Sequence, residues 1–247
     1  MLRAMQIFAL WCHPRSMSTA FERVMRERGD VDVMHEPFMY EYYLNNPNRV
    51  FADFTPDPDH PKTYAAIRDM ILTRAQTQPV FFKDMAYYVL DHLPGDPDFM
   101  AAAHHAFLIR DPAESILSYH KRDPGFACEE VGIEAQSRLF EALRAAGQSP
   151  LVIRASDVRA APEAQIARYC AAAGLRHRPA ALNWDSSLPK GWETVQDWHG
   201  DVIKSGAIRP PETGRDFHAE LAMLGPPYTD YDTHHRPFFE ALDAQVC

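Results

Sequence analysis

The chain has 247 residues, of which 46% are hydrophobic and 24% are charged, so it is long enough to bury a full core as a single domain. Its formal net charge of -9 argues against nucleic acid or heparin as a partner, because those ligands need a basic face. The four cysteines are scattered and include no CxxC pair, which disfavours a disulfide framework or a zinc site and favours a reducing compartment.

The amino-terminal residues lead directly into a predicted strand and contain no small-residue cleavage site typical of a signal peptide. No apolar run reaches the roughly 18 residues that a membrane-spanning helix needs. We therefore expect a cytoplasmic protein that has no membrane partner.

Apolar runs rich in Val, Ile and Phe alternate with helical patterns along the chain. The predicted strands cover residues 6–12, 31–35, 80–83, 106–110 and 151–154. The predicted helices cover residues 18–28, 63–77, 112–122, 129–146 and 162–173. Strands that are separated by helices, with few hairpin signals, predict an α/β fold whose mostly parallel sheet is covered on both faces.

Two stretches break this alternation. Residues 45–62 are rich in Pro, Asp and Asn and are predicted to form a surface excursion. Residues 179–227 contain three tryptophans and several Pro and Gly, so we expect irregular structure there, with helix near 192–204. No internal repeat marks a domain boundary, so residues 1–247 are predicted to form one domain whose irregular region, 179–247, folds over the sheet.

The loop between the first predicted strand and the first predicted helix combines one arginine with three hydroxyl groups. Its polar residues are Arg15, Ser16, Ser18 and Thr19. The first N–H groups of a helix have no intrahelical partner, and the helix dipole adds positive potential there. Because a guanidinium can bind phosphate or sulfate oxygens through two hydrogen bonds, this loop predicts an anion site.

Two features of this loop allow another interpretation. Thr19 followed by Glu22 matches a capping box, which would explain the threonine without a ligand. The loop is also not a Walker A motif, because no glycine of the chain is followed by lysine.

A second strand–turn–helix pattern surrounds residue 110. Asp111, Pro112 and Glu114 are typical of a helix start with a capping box. That interpretation leaves Arg110 and Ser118 unexplained. Since Arg110 ends a strand and Ser118 follows eight positions later, the two predict a second anion site.

Together the two patterns resemble the sulfotransferase family that uses 3′-phosphoadenosine 5′-phosphosulfate (PAPS). The family loop has the pattern Pro-Arg/Lys-Ser-Gly-Thr/Ser-Thr, and residues 14–19 here are Pro-Arg-Ser-Met-Ser-Thr. The family's 3′-phosphate motif has an Arg and, eight residues later, a Ser, as Arg110 and Ser118 do. Residues 151–175 are similar to the strand, acidic turn and helix that follow. The resemblance implies a three-layer α/β/α fold of the P-loop NTPase-like type.

The resemblance also implies a set of donor-binding residues. These are Pro14, Arg15, Ser16, Met17, Ser18 and Thr19 for the 5′-phosphosulfate, with Arg110 and Ser118 for the 3′-phosphate. Met17 stands where the family usually has Gly, and we expect helical geometry there, in which Met costs nothing. The family's C-terminal basic-Gly loop has no good match, and Arg209 and Arg215 are weak substitutes.

Three residues are expected to take part in the transfer itself. Arg15 would neutralise the leaving phosphate oxygen, and Lys83 resembles the family lysine that reaches the transferring sulfuryl group. Some members use a His as general base at the position of Met85, whereas others use a Glu at the end of the second strand, so we expect Glu36 to be the base. His35 and Asp84 are the alternatives.

The sequence implies no metal. His104 with His105 and His234 with His235 are adjacent pairs, which in a strand would point to opposite faces. The predicted activity is sulfuryl transfer from PAPS to a hydroxyl or amine of a small-molecule acceptor. A P-loop-type kinase is disfavoured by the missing glycines and lysine, and a non-catalytic relative that binds a nucleotide or anion is the other alternative.

Overall fold

Five parallel strands form the central sheet in the order β2-β3-β1-β4-β5. The strands of this computed structural model are β1 (Ile7–Cys12), β2 (Asp32–His35), β3 (Val80–Met85), β4 (Ala103–Ile109) and β5 (Leu151–Arg154). The structure describes residues 6–46, 54–189, 192, 200 and 202–246. Strand β1 lies between β3 and β4, so the connections that leave β1 lead to β2 and β3 on one side and to β4 and β5 on the other. Open α/β sheets bind ligands at such a reversal of strand order.

Helices follow or precede each strand. They are α1 (Ser18–Glu27), α2 (Met39–Leu44), α3 (Tyr64–Ala75), α4 (Pro97–Ala102), α5 (Pro112–His120), α6 (Ile133–Ala145), α7 (Ala155–Ala160), α8 (Pro162–Ala172), α9 (Phe217–Leu224) and α10 (Tyr228–Asp243). None of the helices among the described residues is long and apolar enough to cross a membrane.

Aromatic contacts join the helical layers to the two faces of the sheet. On one face, Phe21 of α1 stacks on Phe81 of β3 with ring centroids 6.5 Å apart, and Tyr169 of α8 meets both rings edge-on. On the other face, Phe140 of α6 meets Phe107 of β4 edge-on at 5.6 Å. The sheet is therefore buried on both sides, which confirms the predicted three-layer α/β/α architecture.

The five predicted strands and five predicted helices all exist, with shifted ends. The predicted helix over 129–146 is divided, because Gly132 has φ 78° and separates a 3-10 turn from α6. A Cβ at Gly132 would lie 3.0 Å from the ring of Tyr87 and 3.2 Å from His13 Cβ, so both the conformation and the space require glycine there.

The C-terminal region differs from its prediction. Residues 217–224 and 228–243 are helical rather than irregular, and α10 packs against α5 and α6. The helical pattern of α10 was missed because Pro237 lies inside it and its apolar residues are few. The predicted helix near 192–204 and part of the predicted excursion, residues 47–53, fall largely or wholly outside the described residues, while 54–62 contains no helix or strand.

Candidate functional site

A cavity of about 250 Å³ opens at the carboxyl ends of β1, β2, β3 and β4. Its lining includes every expected donor-binding and catalytic residue except Ser16: Pro14, Arg15, Met17, Ser18, Thr19, Glu36, Lys83, Arg110 and Ser118. Of the two alternative bases, His35 lines the cavity and Asp84 does not. Ser16 is fully buried, and its hydroxyl has no hydrogen-bond partner among the described residues. The two motifs and the expected catalytic residues thus surround one space.

The loop before α1 adopts a left-handed backbone at two residues. Arg15 has φ 62° and Met17 has φ 74°, so the expectation of helical geometry at Met17 was wrong. Met17 is the N-cap of α1, and the first intrahelical hydrogen bond runs from the N–H of Ala20 to its carbonyl. The amides of Ser18 and Thr19 therefore precede the helical ladder and form its positive end.

The capping-box interpretation of Thr19 and Glu22 is also wrong. Thr19 is the second residue of the helix, and the N-cap, Met17, makes no side-chain capping bond. Glu22 is fully buried and its carboxylate is bound elsewhere, to His35, Arg26 and Trp192. Sequence spacing alone gave no sign of this burial.

The second motif contacts the first directly. The Arg15 side chain donates from Nε to Oγ of Ser118 at 3.0 Å, and Arg110 donates from Nη1 to the carbonyl of Arg15 at 2.7 Å. Asp111 is the N-cap of α5, as predicted, and accepts from the N–H of Ala113 at 2.8 Å. Glu114 does not complete a capping box, because its carboxylate accepts from Nε of Arg110 at 2.9 Å.

A buried ion pair forms the floor of the cavity. Nζ of Lys83 donates to Oε1 of Glu36, and their side chains are only 1% and 8% exposed. Burial opposes the charge of Glu36, but the nearby Lys83 ammonium, through its charge and its hydrogen bond, holds the pKa of this carboxyl below its usual value. Burial likewise opposes the charge of Lys83, yet Glu36 and Glu22 raise its pKa. Both side chains are therefore charged at neutral pH.

The position of Glu36 is fixed by its backbone and its neighbours. Glu36 has φ 40°, and its second carboxylate oxygen accepts from the Tyr88 hydroxyl at 3.3 Å. Two residues later, the N–H of Phe38 donates to Oδ2 of the fully buried Asp84 at 2.9 Å. Burial, and then the charge of Glu36, raise the pKa of Asp84 well above its usual value, and Asp84 anchors the backbone at Phe38.

His13, which the sequence places at the end of the first strand without a role of its own, supports the same edge of the sheet. Its Nε2 accepts from the N–H of Arg110 at 3.1 Å, which joins the ends of β1 and β4. Burial, together with the nearby charge of Arg110, lowers the pKa of His13 to about 3. His13 is therefore neutral and acts as an acceptor.

Aromatic side chains cover the side of the cavity beyond Glu36. The rings that line it are those of Tyr43, Tyr87, Tyr88 and Tyr119. Arg209 also lines the cavity, whereas Arg215 is paired with Glu212 and Glu220. Of the two weak candidates for the missing basic loop, only Arg209 lies at the site.

Cys128, His234 and His235 come together away from the cavity, with ligand atoms within 4.8 Å of one another. The two histidines lie on helix α10 rather than on a strand. His235 accepts from the N–H of Glu134 at 3.2 Å through Nδ1, and its Nε2 lies 2.8 Å from the carbonyl of Cys128. Both ring nitrogens thus join α10 to residues 128–134, and the absence of a metal stays a prediction.

Comparison with known proteins agrees with this architecture. A solved structure, the sulfotransferase domain from the Synechococcus PCC 7002 olefin synthase, superposes with a TM-score of 0.56 at 14% identity, covering 92% of this chain and 94% of that one. This likeness shows the fold.

Two curated relatives from Arabidopsis thaliana are each 24% identical to the chain. Branched-chain-amino-acid aminotransferase-like protein 2 matches 84% of this chain and 37% of its own length, and branched-chain-amino-acid aminotransferase-like protein 1 matches 98% and 42%. The chain thus spans about two fifths of the length of these relatives.

The family described as "Sulfotransferase domain" matches residues 5–217, which include both anion motifs, the Lys83–Glu36 pair and all five strands. The chain belongs to the sulfotransferase domain family.

Proposed function

We propose that this protein is a PAPS-dependent sulfotransferase that transfers a sulfuryl group to a hydroxyl or amine of a small-molecule acceptor. One observation carries the proposal: the two anion motifs touch through Arg15, Ser118 and Arg110 and surround the cavity that contains the Lys83–Glu36 pair. A ligand with phosphate groups at two separate positions matches two such motifs.

The donor-side residues fit an anionic nucleotide. Arg15, Lys83 and Arg110 supply cationic donors, while Ser18, Thr19 and Ser118 supply hydroxyls. The start of α1 adds its helix dipole. When bound, PAPS supplies a sulfuryl group whose S–O bond to the phosphate breaks as a new bond to the acceptor forms.

The Lys83–Glu36 pair can act in two steps, first through Lys83 and then through Glu36. Lys83 can turn toward the sulfuryl oxygens and stabilise the charge that develops there. Its departure removes the cation that holds down the pKa of Glu36, so the carboxylate becomes a stronger base. Glu36 then accepts the proton from the acceptor hydroxyl or amine, and the leaving phosphate oxygen is neutralised by Arg15.

The acceptor side is apolar and aromatic. Tyr43, Tyr87, Tyr88 and Met85 line the cavity next to Glu36. These side chains favour a small organic acceptor that can stack on tyrosine rings.

The first test is a calorimetric titration with adenosine 3′,5′-bisphosphate, with ATP–Mg²⁺ titrated in parallel. We expect a dissociation constant of about a micromolar for the bisphosphate and much weaker binding of ATP–Mg²⁺. Arg110→Ala should weaken the bisphosphate at least about tenfold, because it removes a charge-assisted donor.

Arg138→Ala is the matched control. Arg138 lies on α6 outside the cavity, its side chain is 64% exposed, and its contact with Glu134 is 3.8 Å long. This variant should bind the bisphosphate like the wild type. A preference for ATP–Mg²⁺, or an Arg110→Ala protein that binds as tightly as Arg138→Ala, would overturn the proposed donor site.

A further inference from the structure

Glu22 lies at the centre of a buried network beside the cavity. It is fully buried on α1, and its Oε1 accepts from Nε1 of Trp192 at 2.7 Å and from Arg26 at 2.7 Å. Its other oxygen, Oε2, lies 2.6 Å from Nδ1 of His35. Burying a carboxylate costs free energy unless hydrogen-bonding or charged partners compensate it. The partners of Glu22 therefore hold both its carboxylate and the ring of His35 in place.

His35 connects this network to the catalytic pair. It is the last residue of β2, its side chain is 5% exposed, and it lines the cavity next to Glu36. Its Nε2 lies 3.7 Å from Oε1 of Glu36, the same oxygen that Lys83 contacts. The imidazole therefore stands between two carboxylates, one on each of its nitrogens.

The partner on Nδ1 determines where the ring hydrogen lies. An ionised carboxylate can only accept a hydrogen bond, so Nδ1 donates to Glu22. In the neutral ring, Nε2 then keeps its lone pair on the side of Glu36. This arrangement orients a histidine as the acid partner orients it in a hydrolase triad, with the acceptor nitrogen directed at the reacting group.

A proton that reaches Glu36 needs a further destination if Lys83 is to return to its partner. We propose that Glu22 and His35 form a dyad that takes this proton, with His35 as its acceptor and Glu22 as the positioning residue. This inference rests on the proposed function.

The proton balance of this step is complete without a further reactant. The acceptor loses its proton to Glu36 as its bond to sulfur forms, and Glu36 passes that proton to Nε2 of His35. The resulting imidazolium lies between the carboxylates of Glu22 and Glu36, which stabilise its charge. Lys83 can then pair again with Glu36.

Several charged groups face the imidazole from three elements. Glu22 and Arg26 approach from α1, Glu36 from the residue after β2, and Lys83 from β3. The ring of Trp192 meets the imidazole at an interplanar angle of 62°. Glu22→Gln therefore removes the charge on the Nδ1 side of the ring and also the carboxylate that pairs with Arg26, while Glu36 and Lys83 stay on the other side.

Nitrogen NMR of the histidine side chains tests the dyad without any substrate. In protein labelled with ¹⁵N-histidine, at about pH 8, we expect His35 to carry its hydrogen on Nδ1 and to have an unprotonated Nε2. His35→Gln identifies the signal, and Glu22→Gln should shift it toward the other tautomer. An Nε2–H tautomer or a doubly protonated ring in the wild type, or an unchanged signal in Glu22→Gln, would refute the dyad.

Kinetics then test the proton transfer. With PAPS as donor and phenols and small alcohols as acceptors, Glu22→Gln should lower kcat at least about tenfold without changing KM for PAPS. His35→Ala should lose a similar factor and recover with added imidazole. Glu27→Gln is the control, since Glu27 lies on the same helix, pairs with Arg23 at 2.7 Å and lies outside the cavity.

The outcomes separate this inference from the proposed function. Failure of adenosine 3′,5′-bisphosphate to bind would reject the donor site, whereas the NMR result on His35 would still decide the dyad. If the bisphosphate binds but Glu22→Gln keeps the kcat of Glu27→Gln, the proton remains on Glu36 and the relay is rejected.

Discussion

Glu36 and Lys83 form an ion pair at a buried position, where an unpaired charge would destabilise the fold. Their side chains are 8% and 1% exposed, and removing one partner from a buried pair leaves an uncompensated charge that costs about 3 to 5 kcal/mol. An isosteric amide at position 36 keeps the side-chain shape and a hydrogen-bond acceptor for Lys83, and the charge of Glu22 remains nearby, so this variant disturbs the fold less than truncation does.

We therefore expect Glu36→Gln to keep nucleotide binding and to lose transfer. Adenosine 3′,5′-bisphosphate should bind within a few-fold of wild type, while kcat should fall by roughly a hundredfold or more because no base takes the acceptor's proton. Calorimetry and a PAPS assay measure the two effects. Undiminished turnover in Glu36→Gln would contradict the assignment of Glu36 as base.

Met17 stores strain at the anion loop. Its φ of 74° places a side chain with a Cβ in the left-handed region, which costs about 1 to 2 kcal/mol per residue. The same side chain packs partly buried against the core, so its contacts and its backbone act in opposite directions.

Comparing Met17→Gly with Met17→Ala isolates that strain. Both variants lose the methionine's contacts, but only glycine relaxes at positive φ. We expect the glycine variant to be more stable than the alanine variant by about 1 kcal/mol in urea unfolding. Equal stabilities would show that the loop holds no strain at this position.

Helix α10 is attached to the sheet layer by ion pairs at two points. Arg236 donates to Asp111, the N-cap of α5, at 2.6 Å, and Arg154 at the end of β5 pairs with Asp243, with Nη2 and Oδ2 2.9 Å apart. Burial opposes the charge of Asp111, but Arg236 outweighs it and lowers its pKa. The N-cap of α5, the helix that contains Ser118, is thus bound to the C-terminal helix.

A double-mutant cycle between Arg236→Ala and Asp111→Asn measures this link, and the asparagine still caps α5. We expect a coupling of about 1 kcal/mol at neutral pH. Since the pKa of Asp111 is lowered in the folded state, its contribution is present above the unfolded pKa and disappears as pH falls through the folded one. A coupling unchanged in strong acid would contradict an ionic origin.

The buried, apolar strands could be predicted from the sequence, whereas helices that are stabilised by tertiary contacts could not. Strands β1 and β3 are fully buried runs rich in Phe, Ile and Val, which local pattern reveals. Helix α10 contains Pro237, which disfavours helix in a sequence-based prediction. Its ion pairs are made with residues far away in the sequence, so local pattern does not reveal them.

The same division applies to the site. Loop residues 14–19 and Arg110 with Ser118 follow from motif and strand position. The left-handed Met17 and the buried Glu22 do not, because both depend on chain segments that meet only in the fold. The spacing of Thr19 and Glu22 even favoured a local explanation that the structure contradicts.

The stability of the whole molecule should depend on neutral histidines. His105 accepts from the Trp11 indole through Nδ1, and its Nε2 lies 2.9 Å from the carbonyl of Met100. Burial lowers its pKa to about 4, below the usual value of 6.5. Between these two values the unfolded chain binds a proton that the folded protein does not, so stability falls as pH falls through this window.

His105→Gln tests this with His104→Gln as its neighbour control, because His104 is exposed. From pH 6.5 down to about 4 the wild type should lose on the order of 3 kcal/mol through His105, a loss that His105→Gln should lack and His104→Gln should keep. Urea unfolding at several pH values measures both slopes. Identical slopes in all three proteins would reject the role of His105.

The order of the strands has a consequence for how such proteins can diverge. The two anion motifs follow β1 and β4, which each pair on both sides, whereas His35 ends β2 and Glu36 follows it, and β2 pairs with β3 alone among the described strands. Substitutions that tilt or lengthen β2 disturb a single ladder of hydrogen bonds. The surroundings of Glu36 can therefore change at the margin of the sheet while the loops that follow β1 and β4 keep their strand pairing on both sides.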